Sequence, residues 1–164
     1  MAAIEKYFNA EKAESMLFII CGVLAILFSI YFYFIMKENF WKGLAIPFLF
    51  FSIVQIVIGT TIYLRSPKDC LRVVNSIKNE PQKIQTEEIP RMKKVLKNFV
   101  LYRYFEITMI FLGILIISTL SNYIFWKGFG FGLIIQCTLL LSLDFFAEKR
   151  GKIYSQYLQS IINQ

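Results

Sequence analysis

Two long runs, Ser15–Met36 and Gly43–Leu64, contain no charged side chain. As helices rising about 1.5 Å per residue, each crosses a hydrocarbon core of roughly 30 Å. In lipid the backbone must satisfy its own hydrogen bonds, so runs of this kind become spanning helices and little else. The first run is too long for the apolar core of a cleaved signal and no small-residue cleavage site follows it, so it reads as a retained span. Between the runs, Lys37–Lys42 (KENFWK) is a short polar turn. The pair is therefore a helical hairpin. Pro47 falls in the first turn of the second span, where its missing N–H costs little.

A second hairpin follows. Thr86 reads as a helix N-cap, with Glu87 and Glu88 favourable in the first turn and Pro90 still tolerable. Met92, Val95, Leu96, Phe99 and Val100 then share an apolar face, and nothing breaks the helix before about Ser121. That predicts a helix of about 34 residues, roughly 50 Å, standing well clear of a bilayer core. Ser121–Lys127 (SNYIFWK) is the next turn, and a fourth span runs from about Phe125 to Ala147. The predicted fold is an all-α integral membrane protein with four transmembrane helices in one domain, 1–164. A composition 57% hydrophobic, with a mean hydropathy of +0.56, agrees.

The amphipathic pieces lie outside the spans. In residues 1–14, Ile4, Tyr7 and Phe8 share a face, which predicts a short interfacial helix. Ser66-Pro67-Lys68-Asp69 reads as a fresh helix start, with Leu71, Val73, Val74 and Ile77 on its apolar face and Pro81 ending it. At the other end, Tyr154, Tyr157, Leu158 and Ile161 mark a C-terminal amphipathic helix, expected on the membrane or against the extension between spans 2 and 3.

Charge sets the orientation. Arg65–Arg103 carries ten of the eighteen Lys and Arg residues against four acidic residues, a net +6. With Lys6, Lys12, Lys149, Arg150 and Lys152, fifteen basic residues lie on one side; the two turns hold only Lys37, Lys42 and Lys127. The positive-inside rule predicts both termini and the extension in the cytoplasm. A chain rich in Phe, Ile, Lys and Asn suggests an AT-rich bacterial genome, hence the bacterial inner membrane. The net charge of +7 has this topological cause and does not indicate nucleic acid.

Phe40-Trp41-Lys42-Gly43 recurs as Phe125-Trp126-Lys127-Gly128, and Arg65 and Arg150 match at the same offset. One residue out of step, Asn75–Asn79 lies opposite Gln159–Asn163. The expectation is an internal repeat, 1–80 and 86–164, of two parallel hairpins.

No catalytic pattern is present. Histidine is absent; Cys21, Cys70 and Cys137 are isolated; there is no nucleotide loop or metal motif. The reading is non-enzymatic, with no cofactor and no metal. The glycines of Gly128-Phe129-Gly130-Phe131-Gly132 suit close helix packing, as does a small-residue stripe at Cys21, Ala25 and Ser29. The polar residues at membrane depth are Gln55, Arg103, Glu106, Gln136 and Asp144. Arg103 and Asp144 fall at one depth, about 27 Å from the turns, which predicts an ion pair that Glu106 could share. Gln55 lies near the depth of Glu106, and Gln136 closer to the turns.

The candidate binding surface is basic: Arg72, Lys78, Lys83, Arg91, Lys93, Lys94 and Lys97. The expected partners are membrane lipids and either an acidic protein or further copies of the chain. An accessory or toxin-neutralising immunity protein is of this kind. A second reading is an oligomeric channel lined by Gln55, Gln136, Ser29 and Thr108. A third is a lipid-headgroup enzyme using Arg103, Glu106 and Asp144.

Overall fold

A computed structural model describes residues 2–162. Four long helices account for nearly all of them: α1 (Ala2–Phe34), α2 (Asn39–Asn79), α3 (Ile89–Thr119) and α4 (Ile124–Ile162). A π-helical turn, Ile84–Glu88, leads directly into α3. All four helices are long and apolar enough to cross a membrane, the third counted with its π turn as Ile84–Thr119. α1 packs on α2 and α3 on α4 as two hairpins, which meet mainly through α2 and α4. The central pair is the more enclosed: 39% and 33% of the spanning windows of α2 and α4 are buried, against 22% and 11% for α1 and α3. Large apolar side chains such as Leu27, Phe50, Val57, Phe111 and Leu115 face outward along the spans, where lipid would meet them.

The helices approach closely because glycine permits it. Gly128 and Gly132, one turn apart, face α2; Gly130, half a turn round, faces α3. The alternating glycines of α4 thus serve two interfaces at once. A Cβ on Gly128 would overlap the Phe40 carbonyl, and one on Gly43 would overlap the Phe125 carbonyl. The two FWKG copies therefore meet each other, and the two contacts are related by the sequence offset between the copies. Gly113 and Gly130 likewise face each other's carbonyls across α3 and α4. On α1 the small-residue stripe runs through Gly22, Ala25 and Ser29, all buried; Cys21 lies beside it, half-buried. Ser29 Oγ donates to the Ala45 carbonyl at 2.8 Å.

Three expected helix boundaries do not exist. The N-terminal segment is no separate interfacial helix: α1 is unbroken from Ala2, and nothing in its sequence stops a helix at Ser15. Ile4, Tyr7 and Phe8 pack against Val73, Ile84, Met92, Tyr154 and Leu158 in a core beyond the spans. Ser66-Pro67 starts no new helix either. α2 passes through Pro67, and Ser66 Oγ donates across to the Phe8 carbonyl at 2.9 Å. An interior proline costs about 3 kcal/mol; burial of the face led by Val73 in this core offsets it. Thr86 is not an N-cap. It lies within the π turn, and its Oγ1 donates backward to the Gln82 carbonyl at 3.2 Å. The stop before Pro81 is where the sequence puts it, with α2 ending at Asn79.

The C-terminal amphipathic segment is the end of α4 itself and docks on the extension through Tyr154 and Leu158. Of the repeat match at 159–163, Asn163 lies outside the described residues. The molecule thus has two stacked cores. One is a spanning bundle, and the other is a bundle at the basic end built from continuations of all four helices.

Candidate functional site

The polar residues of the spans pair differently from their expected depths. Gln136 Nε2 donates to Gln55 Oε1 at 2.8 Å, with both side chains buried, joining α4 to α2. Gln55 therefore bonds Gln136 and not Glu106. Gln55 Nε2 itself has no partner among the described residues. Ser29 is engaged at the α1–α2 interface, and Thr108 is exposed, bonding its own helix at Tyr104. Of these four, only Gln55 and Gln136 bond each other among the described residues.

Arg103 pairs with Glu148, not Asp144. Its long side chain reaches one turn further toward the basic end, as an arginine near an interface does. Lys152 pairs with the same carboxylate at 2.7 Å. Asp144 instead adjoins Glu106, which is buried and has an unpartnered Oε2. Arg103, Asp144, Glu148, Lys149 and Lys152 line a groove of about 690 Å³ between α3 and α4, with Phe145 and Phe146 at its edge.

At the basic end the polar contacts gather on Glu88. The π turn puts Ile84 and Glu88 inward, each 1% exposed. Arg91 holds Glu88 with both Nε (2.9 Å) and Nη2 (2.6 Å), Arg72 adds a bond at 3.2 Å, and the Tyr154 hydroxyl donates at 3.1 Å. One carboxylate thus ties α2, α3 and α4 together. α1 joins through Tyr7, whose ring stacks on Tyr154 with centroids 3.9 Å apart and whose hydroxyl donates toward Met92 and Glu11. Around this centre Arg150 pairs with Glu14, and Arg65 with Asp69 at 3.0 Å. Burial works against the Arg91 charge, yet the bonds and charge of Glu88 outweigh it and hold the guanidinium above its usual range.

Burial also holds both phenols well above the usual tyrosine range, helped by the Glu11 charge at Tyr7 and the Glu88 charge at Tyr154. An unfolded tyrosine loses its proton near pH 10, whereas the folded protein keeps both. Above that pH the folded state binds more protons, so stability must fall as pH rises, by about 1.4 kcal/mol per pH unit for each phenol. Thermal unfolding between pH 9 and 11 should show this slope, and Tyr7→Phe should remove one proton's share of it. An unchanged slope in that variant would refute the assignment to Tyr7.

The basic surface consequently divides in two. Arg72, Arg91 and Lys83 are spoken for, the first two by Glu88 and the third by Glu80 at 2.8 Å. Lys78, Lys93, Lys94 and Lys97 are exposed and form no ion pair among the described residues. The surface signal in the sequence was the count of cations. Glu88 was visible only as a helix-start acid, because its burial depends on the π turn.

Among the described residues no cluster of His, Cys, Asp and Glu stands ready for a metal. Comparison with family models, curated proteins and solved structures gives no match to this chain.

Proposed function

We propose that this is a non-enzymatic protein of the bacterial inner membrane. Its buttressed basic bundle projects into the cytoplasm and docks an acidic partner protein, in the manner of an accessory or toxin-neutralising immunity protein. The orientation rests on charge: fifteen basic residues flank one side of the spans and three the other. The observation that carries the docking reading is the contrast between arginines and lysines. The arginines are consumed in holding the bundle, and Lys78, Lys93, Lys94 and Lys97 are left free on its surface. Exposed like charges repel one another and give a fold little, whereas an acidic partner uses them for steering and register. The second core at the basic end also supports the reading, since a rigid platform loses little conformational freedom on binding.

The test is isolation from native membranes in mild detergent, with the bound proteins read by mass spectrometry. A stoichiometric acidic partner is expected, lost when Lys93, Lys94 and Lys97 are changed together to Glu and weakened by salt. A partner-free homo-oligomer, unaffected by those changes, would overturn the docking reading and make ion flux in liposomes the next measurement.

A further inference from the structure

The groove between α3 and α4 is apolar at its deeper end and carries most of its charged side chains toward the basic end, where Phe99 also lines it. Phe145 and Phe146, about 60% exposed, follow Asp144 on the side toward the basic end, and the deeper wall is Ile107 and Leu141. One to two turns further toward the basic end stand Arg103, Glu148 and Lys149, and beyond them Lys152. The helical rise counted from the turn markers Ser121 and Trp126 puts Arg103 and Asp144 about 27 Å across the membrane, where acyl chains give way to headgroups. The charge at that level is unbalanced. Arg103 and Lys152 share the single carboxylate of Glu148, and Lys149 is exposed and has no ion pair among the described residues. The other lining carboxylate, Asp144, lies a turn deeper than Glu148, level with Arg103 and against Glu106. From that level outward three cations therefore face two carboxylates, a net charge of +1.

We propose that this groove binds one anionic phospholipid. Its acyl chain lies along Leu141, Phe145 and Ile107, its phosphate sits between Arg103 and Lys149, and its headgroup is next to Lys152. The groove is at membrane depth, so its occupant is set by the bilayer, and the excess of cations selects an anionic lipid from it. The carboxylates argue against the zwitterionic alternative. An ammonium headgroup projects outward past the phosphate, toward Lys152, and Asp144 is on the wrong side to receive it. This proposal does not depend on the acidic partner, which uses lysines on the bundle further out.

The experiment is native mass spectrometry of the full chain in detergent, titrated with dioleoyl phosphatidylglycerol or dioleoyl phosphatidylcholine. A single saturable phosphatidylglycerol is expected, bound at least tenfold more tightly than phosphatidylcholine. The exposed pair Lys149→Gln and Lys152→Gln should weaken it roughly thirtyfold, about fivefold for each interfacial charge. The same charge change at Lys6 and Lys68, on α1 and α2, should not, and it controls for net charge. Equal binding of the two lipids, or phosphatidylglycerol binding indifferent to the Lys149 and Lys152 changes, would overturn the proposal. So would inorganic phosphate binding as tightly as the lipid, or a dimer that excludes added lipid.

Discussion

Alanine at Gly128 should cost the spanning bundle about 3 kcal/mol, the upper part of the usual range for overpacking. The added Cβ would overlap the Phe40 carbonyl and crowd the Leu44 amide nitrogen. Both obstacles are backbone atoms of a helix and cannot rotate aside as a side-chain end does. Relief requires moving α2 and α4 apart, which also draws on the buried Gln55–Gln136 bond further along the same interface. Gly43→Ala should behave alike, since its Cβ would overlap the Phe125 carbonyl. The double variant should cost less than the sum, because either methyl alone separates the pair. Gly151→Ala is the matched comparison. Its Cβ would meet only the tips of Leu96 and Met92, at 3.3 and 3.6 Å, and alanine favours helix by about 1 kcal/mol over glycine. Thermal unfolding in detergent would separate the cases. Equal melting of the Gly128 and Gly151 variants would refute the close approach of the two hairpins.

How far the sequence foretold this architecture depends on what kind of fact each feature is. Spans and turns were legible because the absence of charge from Ser15 to Met36 and from Gly43 to Leu64 has one physical meaning in a chain this apolar. The faces led by Ile4, Tyr7 and Phe8 and by Tyr154 and Leu158 were legible as faces. Periodicity shows which side of a helix is apolar and not whether lipid or another helix covers it, so both were open to a reading as interfacial. The false boundary at Ser66-Pro67 came from local propensity, which long-range burial of Val73 and Ser66 overrides. The intramembrane pairs were misjudged for another reason. Helical rise measures the depth of Cα atoms, while Arg103 carries its charge a full turn outward, and two glutamine side chains together bridge the offset between Gln55 and Gln136. The Glu88 centre was the least legible, since a π turn leaves no mark in the charge or apolar pattern.

Glutamine at Glu88 should loosen the basic end by about 3 kcal/mol while leaving the spanning core intact. Breaking a buried ion pair by removing one partner costs about 3–5 kcal/mol, because the surviving charge remains in a place built to neutralise it. Two arginines would survive here. Arg72 is 39% exposed at its side chain and retains Asp69 at 3.2 Å, so it adds little. Arg91 is only 20% exposed, Glu88 is its one ion-pair partner among the described residues, and its Nη1 already lacks a hydrogen bond. The cost therefore centres on Arg91, at the lower end of the range because water still reaches one side of it. Tyr154 keeps an acceptor in the glutamine oxygen, so the tyrosine stack should persist. Hydrogen exchange should quicken around 84–92 and 154–158, two of the segments that Glu88 ties together, and stay slow through the spans. Replacing Glu88 and Arg91 together by Leu and Met should recover much of the loss, because an apolar pair leaves no charge stranded. If Glu88→Gln exchanges like the native protein at the basic end, Glu88 is not what ties α2, α3 and α4 together there. If the double variant is worse than the single, Arg91 contributes through its packing over the Phe8 ring, 5.9 Å away, more than through its charge.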